Sequence, residues 1–308
     1  MRWTWGSIAI GTVLVALAML LNGCGKSTMA PNPPGSSDAA QVSSTLAAST
    51  TLVDDGLDVD STQVNAERIS SGSGVAQLQA SLRPFTWWQR ITSVSKTWTF
   101  AWSDTDSTGH PKSCIATLNE HLTGTLVIVP ASPSDTTRAD TTRIFKPIDK
   151  TLTRKVMLQR LALGLGREWR IVATTGALVE TPGAITRIIS LRIQSASGLD
   201  TTITDPLQWI SLRHIIQFGT NDSVTVTVTT LRADNPVYIH RWDWRHRLRN
   251  NLDDTYSFTW VTSAWGGFRH FGIQAMSHGS IYDDTLPFDM QAWHLPFRVT
   301  QPGVDYYP

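Results

Sequence analysis

The sequence predicts a mainly β protein: a polar N-terminal tether, an antiparallel-sheet domain of the α+β or all-β kind, then a β-sandwich. Three observations carry this. Large apolar side chains alternate with small polar ones, as in Trp98, Phe100, Trp102 and again in Val224, Val226, Val228, which is the period of a half-buried strand. Clusters of Asp, Asn, Ser, Thr, Gly and Pro separate these runs at short intervals, as hairpin turns do. The 308 residues are 41% hydrophobic and 17% charged, a globular composition with length for two domains.

The chain opens on Arg2, followed by an uncharged apolar run from Ile8 to Leu21. That run has the length of a signal-peptide core and is short for a membrane span. It ends in Leu21-Asn22-Gly23-Cys24. This segment resembles the bacterial lipobox, in which an aliphatic residue and two small ones precede an obligatory Cys. Asn22 departs from the Ala or Ser usual there. The resemblance implies cleavage between Gly23 and Cys24, a signal peptide over residues 1–23, and acyl chains such as palmitate on the Cys24 thiol. Each buried CH₂ would add about 0.8 kcal/mol to membrane binding, so several chains would anchor the protein without a transmembrane helix. Gly25 follows the Cys, where enteric-type bacteria place Asp to retain a lipoprotein at the inner membrane. The resemblance therefore implies a cell-envelope address, with the outer membrane favoured in a Gram-negative host.

Residues 24–54 are rich in Ser, Thr, Pro and Ala and are expected to form a disordered tether. A flexible chain of that length has an end-to-end distance of about 30 Å. Gly25-Lys26-Ser27-Thr28 imitates the end of a phosphate-binding loop, but Leu20 stands where the first Gly belongs, so the loop cannot form.

The first folded domain is expected over residues 55–194. Leu57, Val64 and Ile69 suit one short helix and Val75–Leu82 a second, stopped by Pro84. Phe85, Trp87, Trp88 and Ile91 form an apolar cluster. Strands follow through Trp98–Trp102, Cys114–Leu118 and Leu126–Val129. Asp104–His110 is the first turn, and Pro130–Asp140 is a polar loop. Leu152–Leu163 and Trp169–Ala173 read as a hairpin. Helices, an aromatic cluster and long antiparallel strands together resemble the NTF2-like cone fold, which implies a sheet wrapped around a pocket within residues 85–175.

Ser195-Ala196-Ser197-Gly198 is the expected joint, and residues 198–302 the second domain. Strands are expected at Val224–Val228, Tyr256–Val261, Phe268–Ala275 and Trp293–Val299. One long strand is expected from Tyr238 to Arg249, its Arg residues on a solvated face and Trp242, Trp244, His246 and Leu248 on a buried one. The stretch Gly267-Phe268-Arg269-His270-Phe271-Gly272-Ile273-Gln274-Ala275 resembles the penultimate strand of bacterial immunoglobulin-like and PKD-like domains. It implies an Ig-like β-sandwich acting as a spacer, adhesive or recognition module.

Chemistry leaves few marks. The sequence has no HExxH, GxSxG, CxxC or Rossmann glycine pattern, so no catalytic residue is assigned. With Cys24 lipidated, Cys114 has no disulfide partner and reads as a buried, inert thiol. Calcium is the metal considered, with Asp283, Asp284 and Asp289 as ligands. Asp104, Asp106, Thr108 and Gly109 match half of an EF-hand loop, but Ile115 occupies the position of its bidentate Glu. Arg2 is the one charged residue before Cys24, leaving 25 basic against 25 acidic residues after it. That balance argues against nucleic acid as a partner. Trp265 beside Gly266-Gly267, with Arg245 and Arg247, is the ligand-binding candidate for an envelope polysaccharide or protein. The expected function is a membrane-anchored envelope lipoprotein displaying a β-rich binding module. The alternatives are an NTF2-like small-ligand binder or enzyme, and a carbohydrate-binding surface module.

Overall fold

The computed structural model describes residues 36–53, 64–65, 82–105, 110–134, 138–161, 169–241 and 244–301. Cys24, the leader, most of the two helices expected between Leu57 and Leu82, and Asp106, Thr108 and Gly109 of the half-matched calcium loop lie outside these residues.

The protein is mainly β. Its largest sheet has eleven strands, in the order β1 (Val64–Asn65), β2 (Pro84–Thr105), β3 (Pro111–Pro130), β4 (Ile144–Arg160), β5 (Trp169–Glu180), β16 (Met290–Thr300), β15 (Gly267–Met276), β11 (Val237–Arg241), β12 (Trp244–Arg247). Two short strands join it from the side, β8 (Ile210–Ser211) on β5 and β9 (Ile216–Gly219) on β16. The second sheet runs β13 (Arg249–Asn250), β14 (Thr255–Val261), β10 (Ser223–Thr230), β6 (Ile188–Ser195), β7 (Asp200–Ile203).

One face of the large sheet can be followed strand by strand, because paired residues share a face. On β3 and β4 the inward positions are even-numbered, and among them Cys114, Ala116, Leu118, Glu120, Leu122, Leu126 and Ile128, then Lys146, Ile148, Lys150, Leu152, Arg154, Val156 and Leu158 are buried. On β2 the inward set is Trp87, Gln89 and Ile91, then Val94, Lys96, Trp98, Phe100 and Trp102. Parity switches at the register shift between Ile91 and Ser93, opposite Gly124. The extra residue of this bulge keeps both halves of a 22-residue strand facing the same core.

That face is concave. Trp87 on β2 and Tyr238 on β11 are six strand positions apart in the sheet, which would separate them by about 29 Å if the sheet were flat. Their ring centroids are 5.0 Å apart, edge to face. The sheet therefore curls until its edges meet across the interior. Trp87, Leu122, Leu126, Ile128, Tyr238, Tyr282 and Met290 fill one end of the hollow. The other end holds Cys114, Val156, Leu158 and Trp169 against Val42, Leu46, Leu52 and Val53.

Those last four residues belong to helices α1 (Ser36–Ala48) and α2 (Thr50–Val53). Residues 36–53, expected within a disordered tether, thus form helices packed on the sheet. Their small apolar residues recur at helical spacing, and Asp38 lies buried 3.6 Å from Arg160.

The five-stranded sheet covers the outer face of β15, β16 and β11. Leu191, Ile193, Val224, Val226, Val228, Tyr256 and Trp260 meet Ile239, Phe271, Ile273, Trp293, Leu295 and Phe297 there. These are two antiparallel layers with a common apolar core, as in a sandwich. The layers cross the expected boundary: β6, from before the Ser195–Gly198 joint, lies between β10 and β7, and β5 pairs with β16. The expected division into residues 55–194 and 198–302 is therefore bridged by hydrogen-bonded sheet on both sides.

The run from Tyr238 to Arg249 is also corrected. It is a hairpin, β11 with β12, in the register Tyr238↔Arg247 and His240↔Arg245, and Arg249 belongs to the other sheet. Its charged face is the inner one at Arg245, which is buried, while His246 is exposed.

Candidate functional site

The concave face is polar as well as apolar. Three of the inward positions on β4 are cations, each tied to a different element. Lys146 Nζ donates to the carbonyls of Gly279 (2.7 Å) and Asp283. Lys150 Nζ donates to Gln89 Oε1 at 3.0 Å. Arg154 Nη1 donates to the Val53 carbonyl at 2.6 Å. Lys96 pairs with buried Glu120 at 3.1 Å. Burial lowers the Lys146 pKa, while Asp283 and Asp284 pull it back up. Charges in a low-dielectric interior persist when matched in this way, and these cations act as cross-ties holding straps to the sheet.

Arg245 lies 5.0 Å over the Trp87 ring. Trp87 Nε1 donates to the Tyr238 hydroxyl at 3.3 Å. Burial, reinforced by Tyr282, raises the Tyr238 pKa well above its ordinary value, so this hydroxyl is neutral. Arg247 hydrogen-bonds the Tyr282 hydroxyl. The two Arg residues of the ligand-binding candidate are thus brought to the aromatic interior, away from Trp265. That Trp is 74% exposed, as its Gly-rich surroundings predict.

Tyr282 leads to a pocket of about 300 Å³ beside the hollow. Its walls are α3 (His278–Tyr282), the turn before β11, and the loop between β5 and β6. Each wall is pinned from behind. Asp289 Oδ1 accepts from Ile185 N and the Thr181 hydroxyl, and Oδ2 from Thr186 N and its hydroxyl, at 2.5–3.1 Å. Lys146 holds both ends of α3. The Ala233 carbonyl accepts from Tyr256 Oη (2.5 Å) and Asn250 Nδ2 (2.9 Å), which fixes the turn. His278 stacks on Tyr282, centroids 4.6 Å apart and planes 22° from parallel.

Two of the three expected calcium ligands, Asp283 and Asp289, line this pocket in other employment. Asp283 Oδ1 accepts from Thr285 N, Thr285 Oγ1 and Leu286 N, which closes a turn and lowers its pKa. Asp289 is saturated by the β5–β6 loop, and Asp284 is exposed. No group of three metal-ligating side chains converges among the described residues. A second pocket, about 390 Å³, lies beside half-exposed Trp209.

Cys114 is fully buried, and desolvation pushes its thiol pKa up to about 12. Asn235, His278 and Tyr282 carry no sequence signal of their own: Asp234-Asn235-Pro236 reads as an ordinary turn, and the pocket exists because β11, α3 and the β5–β6 loop meet in space.

No protein-family model matches this chain, and neither a curated protein nor a solved structure does.

Proposed function

We propose that this chain is a lipid-anchored cell-envelope lipoprotein that displays a β-rich binding module through acylated Cys24. The observation that carries the proposal is the uncharged apolar run Ile8–Leu21 ending on Leu21-Asn22-Gly23-Cys24. Among the described residues no helix is long and apolar enough to cross a membrane. The two-sheet packing around β10 and β15 supports the recognition-module reading, and Gly25 favours the outer membrane as its address. Metabolic labelling with a fatty-acid analogue tests the anchor. The wild type should be tagged and Cys24→Ala should not; equal labelling of both refutes it.

The curled sheet favours a second reading, a small-ligand binder of NTF2-like design. Its support is the polar set Gln89, Glu120, Lys146 and Lys150 facing the hollow. The ties these groups make to neighbouring elements weigh toward a structural role for them.

A further inference from the structure

The pocket beside Trp209 brings an exposed aromatic ring and an exposed carboxylate to one cavity. Its volume is about 390 Å³, within the range of small-ligand sites. One wall is the turn between β7 and β8, and that wall is pinned at both ends. The Pro206 carbonyl oxygen packs where a side chain at Gly176 of β5 would stand. Ile210 and Ser211 pair with Thr174 and Ala173 of β5, and Leu212 N donates to the Val172 carbonyl at 3.0 Å. Trp209 lies between these anchors, is 37% exposed and lines the pocket. Asp205 opens the same turn, is exposed and lines the pocket too. Its Oδ1 accepts from Leu207 N at 2.8 Å, while its Oδ2 meets no partner among the described residues.

The lining narrows the class of ligand. No Lys or Arg belongs to it among the described residues, so a phosphate or carboxylate would meet Asp205 without a compensating cation. A bare metal ion wants several oxygen ligands, and no group of three metal-ligating side chains converges among the described residues. Half-buried Ile203, Ile210 and Ile216 add aliphatic surface, which suits a ligand that carries methyl groups. An N-methylated ammonium matches all of these features. Its charge answers Asp205, its methyl groups answer the Ile side chains, and cations of this kind rest on the face of a Trp ring within about 6 Å of the centroid. The fold uses that pairing elsewhere: Arg143, Arg241 and Arg245 lie at 5.9, 5.5 and 5.0 Å from the ring centroids of Trp88, Trp244 and Trp87. Those rings already hold a cation of the chain, whereas the Trp209 ring makes no such contact among the described residues.

We infer that this pocket binds an N-methylated ammonium group, with Asp205 as the counter-charge and Trp209 as the aromatic wall. The site names a ligand class for the binding module proposed above. It does not depend on the acyl anchor, so loss of labelling at Cys24 and loss of ammonium binding are separate results.

The test is isothermal titration of the full chain with choline, in a detergent without a choline headgroup. Choline should show a saturable single site, and the alcohol in which carbon replaces the ammonium nitrogen should bind at least about tenfold more weakly, because it keeps the shape and lacks the charge. Asp205→Asn and Trp209→Leu should each weaken choline by about tenfold with little change in melting temperature, since both side chains are exposed. Phe145→Ala, which removes a 62% exposed aromatic ring outside the pocket, should leave binding as it was. Glycerophosphocholine, titrated in parallel, separates the sources: binding tighter than choline marks a lipid headgroup as the ligand, and binding no tighter marks the free cation, each in support of the site. The inference is overturned if choline shows no saturable binding at millimolar concentration, if the uncharged alcohol binds as tightly, if either folded pocket variant binds choline as wild type does, or if Phe145→Ala abolishes binding.

Discussion

Asp289 offers the sharpest separation between a metal ligand and a structural latch. Its two carboxylate oxygens each accept one backbone N–H, from Ile185 at 3.1 Å and from Thr186 at 3.1 Å, and each also accepts a Thr hydroxyl. Asp289→Asn keeps the shape but turns one oxygen into an NH₂ donor. Whichever way the amide is oriented, that donor faces a backbone N–H. The Thr hydroxyl on that side can rotate to accept; the N–H cannot. One charge-assisted bond of about 1.5–3 kcal/mol is lost, and the other side weakens when its charge is removed. The expected loss is therefore about 3 kcal/mol, or roughly 5 °C in melting temperature for a chain of this size. Urea unfolding followed by Trp fluorescence measures it, with and without calcium. The latch predicts the same loss in both conditions. A loss under about 1 kcal/mol, or one seen only with calcium present, would refute it.

Two further outcomes follow from the interior. Tyr238→Phe should cost about 1–2 kcal/mol in denaturant midpoint, since it leaves the buried Trp87 N–H without its acceptor; a neutral result would mean that this hydrogen bond adds nothing. Cys114 should resist a thiol reagent at pH 8 in the native state and react readily in urea, because burial pushes its pKa up to about 12. Prompt native labelling would show that this end of the hollow opens freely.

The strands were legible where one parity of the sequence was apolar. Val224, Val226 and Val228 predicted β10, and Trp98, Phe100 and Trp102 predicted the second half of β2. The first half of β4 was hidden because its inward positions include Lys146 and Lys150. A buried cation looks like a surface residue until its partners, a Gln on β2 and the carbonyls of Gly279 and Asp283, are brought to it by the fold. The same cause inverted the reading of Arg245, whose partner is a Trp some 158 positions earlier in the chain. The helix at 36–48 was masked by composition, since Ser, Thr and Ala are shared by linkers and by small helices that pack closely. Of the site, the exposure of Trp265 was legible. The pocket beside Trp209 was not, because β7, β8 and β9 meet around it only in three dimensions.

The placement of β16 has a consequence for how the protein is made. This strand comes last among those described, yet it sits between β5 and β15 and is buried on both faces over most of its length. Until it emerges, the long N-terminal meander has an open edge at β5 and the outer sheet lacks half of its core. Folding by halves during synthesis is therefore blocked by topology. On that account the architecture cannot close until synthesis is nearly complete, and a truncation before Met290 should yield an aggregation-prone fragment rather than a smaller stable protein.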